Sequence, residues 1–259
     1  MRRSLWFCWI LISMVLTIFN HAAFAQSGSA QSGIGQSETA QSGIGEAAAK
    51  DEPALGGPLY WVFLTTGKST QGTEPAELEK MQGAHLANFG RLHKEGKLFA
   101  AGPLADPQKT ERGIVVVTAP NLEGLSELFA ADPFLKEGFL VLDSIPMEVA
   151  VGTFQREIKS EALAEFRLVL LEKSTSDGVE VNAKEALANL EYAVSIHDAE
   201  RLCFAGWLHD EKLPRRGILI FRKLSDAQLK SLLDDFPAVK SGHWKGTTIP
   251  LYMSAEIVK

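Results

Sequence analysis

The chain has 259 residues, with 26 lysines and arginines against 32 aspartates and glutamates, a formal net charge of −6 and two cysteines. An acidic balance without a basic cluster excludes nucleic acid and anionic membrane as electrostatic partners. Cys203 lies in the apolar run Leu202-Cys203-Phe204-Ala205, and Cys8 lies in a leader segment, so no intrachain disulfide is expected.

Arg2-Arg3, the apolar run 5–19 and the small-x-small site Ala23-Phe24-Ala25 read as an export signal over residues 1–25. The run is short for a spanning helix, which needs roughly 20 residues; an uncleaved anchor is the alternative. Cleavage removes Arg2 and Arg3 and no acid, leaving 24 basic and 32 acidic side chains, a net charge of −8. The mature chain is expected in the periplasm or outside the cell, with no membrane insertion. Residues 26–57 repeat AQSG and QSGIG without aromatic residues, which predicts a flexible tether that buries too little surface to order itself.

The globular part starts near residue 58. Residues 60–64 read as a buried strand. Pro75 can open a helix on which Leu78, Met81, His85, Phe89 and Leu92 form one stripe, and Gly96 ends it. Strands follow at 98–101 and 113–118. A second helix carries Leu122, Leu125, Leu128 and Phe129 and stops at Asp132-Pro133. Residues 139–142 and 145–151 supply a fourth strand, with Pro146 implying an edge or a bulge. Strand, helix, strand, strand, helix, strand is the split βαβ order of a ferredoxin-like unit.

A polar connector follows at 152–162, and the order then begins again. Gly102, Asp106, Arg112 and Gly113 answer to Gly206, Asp210, Arg216 and Gly217, each 104 positions on. The offset holds from Lys80/Lys184 through His93/His197 to Ile145-Pro146/Ile249-Pro250; only the first strand needs a shift. The chain therefore reads as a duplication, with one domain over 58–152 and a diverged one over 163–259. The predicted fold class is α+β: two tandem ferredoxin-like βαββαβ domains. Each leaves one sheet face open, so the sheets are expected to pack face to face as an intrachain pseudo-dimer, and the chain to be a monomer.

The stretch 98–118 holds Gly102, Pro103 and Arg112, the candidate ligand-loop residues. The recurrence of Gly102 and Arg112 in the second copy speaks for framework, with Arg112 and Arg216 suited to pairs with Asp106 and Asp210. His93 and His197 sit in a last helical turn, where a cation complements the dipole. There is no H-x-x-x-H spacing, no G-x-S-x-G and no glycine-rich strand-to-helix turn, so neither a metal nor a cofactor is expected.

His85-Leu86-Ala87, the run 92–98 (LHKEGKL), Ala101-Gly102-Pro103, Ala131-Asp132-Pro133-Phe134 and Gly138 together resemble the YciI-like (YCII-related) domain family. The match covers residues 59–151 well and 166–256 weakly. The resemblance implies a dimeric α/β barrel with a small pocket between the first helix and the sheet. It implies His85 and Asp132 as active-site groups, and relatives that process halogenated aromatics or lactones. Lys94 stands where the family acid is usual, and Asn189 stands where the second copy would carry the His. Three functions stay open: binding of a small organic ligand, a lyase, isomerase or dehalogenase using His85 as general base, or a protein-interaction module. A proton-transfer role suits an imidazole titrating near neutrality, and a buried His bonded within the core is the competing reading.

Overall fold

Along the first strand, Tyr60, Val62 and Leu64 point one way and Trp61 and Phe63 the other, and both sets are buried. A pleated strand sends successive side chains to opposite faces, so a run that is apolar throughout needs cover on both. The computed structural model supplies both covers. It describes residues 57–156, 162–174, 181–210, 213–222 and 224–258. The expected export signal, nearly all of the expected tether and the middle of the connector lie outside the described residues.

The first half runs β1 (Leu59–Thr66), α1 (Pro75–Lys94), β2 (Leu98–Pro103), β3 (Glu111–Thr118), α2 (Leu122–Leu128), α3 (Pro133–Lys136) and β4 (Leu140–Val151). The second runs β5 (Leu163–Lys173), α4 (Ala183–Asp198), β6 (Leu202–Leu208), β7 (Arg215–Arg222), α5 (Asp226–Asp234), α6 (Pro237–Lys240) and β8 (Trp244–Ser254). This is an α+β chain with one large antiparallel sheet. Gly96 leaves α1 at φ +69°, the left-handed conformation that lets the chain turn into β2. The stop at Asp132-Pro133 proves to be a start as well: Asp132 caps the short helix α3.

The eight strands run in the order β2-β3-β1-β4-β6-β7-β5-β8. Two separate sheets were expected; instead β4 and β6 pair edge to edge, so the halves share one sheet. The two ends of the order also meet, through a bridge between Leu104 and Leu251 and a 2.9 Å bond from the Ala105 N–H to the Pro250 carbonyl. At the 104-residue offset these contacts become the Met147–Leu208 pair and the 2.9 Å bond from the His209 N–H to the Pro146 carbonyl. Both joints are therefore built alike. A strand residue's N–H and C=O point to the same side, so the missing N–H of each proline faces a joint rather than the ladder beside it. That is how β4 continues through Pro146, which still pairs with Tyr60.

Inside the curled sheet Trp61, Phe63, Ile114 and Val116 of the first half meet Phe166, Leu168, Ile218 and Ile220 of the second in one core. Smaller apolar clusters lie under the helices of each half. Trp61 pairs with Val116 and Leu168 with Ile220, so the first strand is offset by 107 positions rather than 104. Cys203 is buried in the shared core, and burial pushes its thiol up, which leaves it an unreactive packing group. Gly102 lies where β8 comes closest: a Cβ there would sit 2.2 Å from the Tyr252 carbonyl oxygen. Among the described residues no helix is long and apolar enough to cross a membrane.

One end of the interior carries charge. Arg215, 4% exposed, grips Asp143 across the halves at 2.6 and 3.1 Å and Asp210 at 2.5 Å, and it lies over the Phe63 ring. Asp210 thus pairs with Arg215, while Arg216 bonds, among others, to the carbonyls of Arg215, Asp210 and Leu213. In the first half Asp106 accepts the N–H groups of Gln108, Thr110 and Glu111. Burial works against its charge, but those N–H donors, with Arg112 nearby, prevail and hold its carboxyl below the usual range. Glu111 occupies the position equivalent to Arg215. Burial, opposed by Arg215 and reinforced by Asp106, Asp143 and Glu172, pushes its carboxyl up to about 7.

The folded chain therefore holds the Glu111 proton more tightly than the unfolded chain, whose carboxyl titrates near 4.5. The stability this proton contributes is complete below that value and is lost as pH rises through 7. Allowing for the partial exposure of Glu111, E111Q should be more stable than the parent by about 1–2 kcal/mol at pH 8 and equal to it near pH 4. Urea denaturation at the two pH values measures this; a parallel pair of pH curves would remove the assignment.

Candidate functional site

His85 and Asp132 come together from α1 and from the turn before α3. The long helix is amphipathic, and His85 belongs to its buried side with Met81, Leu86 and Leu92. Asp132 occupies the cap position because a residue before proline is held extended, and its short carboxylate can reach the next N–H groups. Asp132 is fully buried and His85 is 5% exposed. One carboxylate oxygen of Asp132 accepts the Phe134 N–H at 3.0 Å, and the other lies 2.5 Å from His85 Nδ1.

A carboxylate only accepts hydrogen bonds, so Nδ1 carries the proton. Nε2 is then the basic nitrogen, and the carboxylate on Nδ1 orients the ring. The ring is flanked by Phe89 at 4.3 Å and by Phe134, edge-on, at 5.6 Å between centroids. Phe134 in turn meets Phe139, above which Lys68 lies at 4.6 Å. The surroundings are aromatic and apolar, with Gln82 one turn before His85 on the same buried face. The Gln82 Nε2 atom is buried without a hydrogen-bond partner among the described residues.

The second half carries different side chains at the same place. Asn189 stands at the His85 position and Phe236 at the Asp132 position. The Asn189 amide oxygen accepts the Ala238 N–H at 2.9 Å, the N–H equivalent to that of Phe134. One side chain on the long helix thus replaces the cap that Asp132 provides. The phenyl groups exchange places too: Phe89 and Phe134 correspond to Ala193 and Ala238, while Phe236 is fully buried and packs on Tyr192 and Trp244. Volume moves from the flanks of the imidazole into the place of the carboxylate.

The other expected residues lie elsewhere. Gly102 and Pro103 stand in the ladder with β3, and Gly102 abuts β8. The Arg112 carbonyl accepts the Leu104 N–H at 3.0 Å. Lys94, where the resemblance implied an acid, lines a shallow groove of about 480 Å³ with Ala87, Gly90, Arg91 and Glu95. His85 is not on its walls. His93 and His197 each place Nδ1 against the carbonyl that opens the next strand, Leu98 at 3.2 Å and Leu202 at 2.9 Å, which ties helix end to strand start. Among the described residues no three His, Cys, Asp or Glu side chains gather as a metal site. Gln82 and the capping role of Asn189 escaped the sequence reading; the readable signal was Gln82 three residues before His85, with Ala186 at its repeat position.

Among solved structures the chain is similar to a candidate monooxygenase from Lactobacillus acidophilus NCFM, at 14% identity and a TM-score of 0.46, over 78% of this chain and 98% of that one. A candidate monooxygenase from Fusobacterium nucleatum is similar at 12% identity and a TM-score of 0.48, over 78% and 94%. A heme-binding protein from Thermus thermophilus is similar at 11% identity and a TM-score of 0.47, over 76% and 90%. No curated protein matches the chain. Residues 60–145, which hold both His85 and Asp132, match the model of the YCII-related domain.

Proposed function

We propose that the first domain, residues 58–152, holds a small organic ligand against His85, and that His85 acts there as a general base. The observation that carries this reading is the buried 2.5 Å contact between His85 Nδ1 and Asp132. A proton leaving a ligand C–H or O–H would pass to Nε2, and the resulting imidazolium would face the Asp132 carboxylate. Proton abstraction of this kind opens lyase, isomerase and dehalogenase chemistry. The flanking phenyl rings favour a ligand with an apolar or aromatic body.

The second domain, residues 163–259, serves in this reading as the structural half of an intrachain pseudo-dimer, its own site closed by Asn189 and Phe236. The equivalence of the two joints supports that pairing. Residues 1–25 direct export and residues 26–57 tether the folded part. Gly102, Pro103 and Arg112 belong to the framework on which the ligand site rests rather than to its walls; their contacts with β8 and with their own hairpin favour this.

Thermal-shift measurements of the mature chain against small carboxylates and aromatic lactones test the ligand site. A ligand at a hundred times its Kd should stabilise the parent by about 2.7 kcal/mol. The gain should vanish in H85A, provided that variant still unfolds cooperatively. No response to any member of the panel removes the reading and leaves the His85–Asp132 pair as a core contact.

A further inference from the structure

From the unpartnered Gln82 amide we infer that Gln82 is the third polar group of this site, donating its side-chain N–H to a carbonyl or carboxylate oxygen of the ligand. The inference rests on the reading of His85–Asp132 as a ligand site and deepens it by naming the ligand's chemical class. Gln82 is 6% exposed, and its Nε2 atom is buried with no acceptor among the described residues. A buried donor without a partner costs free energy in the empty protein, and a bound acceptor would recover that cost. Residues three apart on a helix are neighbours, with Cβ atoms roughly 5–6 Å apart, so Gln82 and His85 stand side by side on the buried face of α1.

The duplication supplies an independent observation. At the equivalent positions the second half carries Ala186, Asn189 and Phe236 for Gln82, His85 and Asp132. All three polar groups change together. Ala186 is exposed, so the fold does not need a buried amide at that point of the helix. Asn88, by contrast, has a structural task that survives by other means: its amide bonds the Leu128 carbonyl, and at the equivalent site the Tyr192 hydroxyl bonds the Leu232 carbonyl. Gln82 has no such counterpart. A donor beside a basic imidazole suits an oxyacid or carbonyl compound whose oxygen sits on Gln82 and whose acidic hydrogen faces His85.

The test uses benzoate, an aromatic carboxylate, with the whole mature chain and the variants Q82M, Q82E and H85A. If the amide is held for a ligand, Q82M removes an unpaired buried donor while keeping the side chain's length, and its Tm rises by about 2–4 °C. The same variant should bind benzoate about tenfold more weakly, the loss of one hydrogen bond, and Q82E more weakly still through charge repulsion. A fall in the Tm of Q82M overturns the inference, because the amide would then be a structural partner. Parent-like benzoate affinity in Q82M, with binding lost in H85A, overturns it while leaving the His85 site standing. No benzoate binding by the parent overturns the site reading and this inference with it.

Discussion

Replacing Asp132 with alanine should cost about 2–4 kcal/mol of stability, the scale of a buried donor left without its acceptor together with a lost helix cap. Two groups lose their acceptor at once. His85, itself 5% exposed, is left with Nδ1 facing the buried place of the carboxylate, and the Phe134 N–H at the start of α3 is left uncapped. A lost cap by itself accounts for about 1 kcal/mol of the total. D132N should cost less, since its amide oxygen can still accept one N–H while the charge that orients the imidazole is gone. Guanidinium denaturation of both variants checks the order. A loss below about 1 kcal/mol in D132A would mean that the pair is neither buried nor bonded as described.

R215M should be comparably severe, about 3–5 kcal/mol, and for a different reason. Arg215 holds Asp143 from β4 and Asp210 from its own half, and methionine would take this cation away from both carboxylates. The Asp210 contact is shielded from solvent while the Asp143 side chain is 35% exposed, so added salt should weaken the parent only modestly. Urea denaturation at low and high salt reads both effects. A loss below about 1 kcal/mol would mean that the two carboxylates do not depend on Arg215 as described.

These two clusters were legible in the sequence to different degrees. His85 stood on the apolar stripe of a helix, and motif resemblance marked Asp132, but the residues themselves showed Asp132 only as the stop of a helix before proline. The structure makes it a cap and a partner of His85 together, across 47 positions of chain. Arg215 and Asp143 are 72 positions apart, and no local pattern announces a contact at that separation. Gln82 was passed over because a glutamine on a helix usually faces solvent; only burial reveals that its amide is left without a partner.

By itself the sequence determined the order of strands and helices, the recurrence of residues at an offset of 104, the turn at Gly96 and the different residues that answer to His85 and Asp132. Those follow from local rules: apolar alternation, helical spacing, the backbone freedom of glycine and the missing N–H of proline. The tertiary structure decided what depends on strand edges and on distance. Edge groups are the same backbone N–H and C=O in every strand, so the sequence does not say which edge meets which. Only the fold joins β4 to β6 and β8 to β2, turning two expected sheets into one. It also brings Asp132 to His85 with Gln82 alongside and places Arg215 between acids of both halves, because side chains distant along the chain acquire shared surroundings only when the sheet curls.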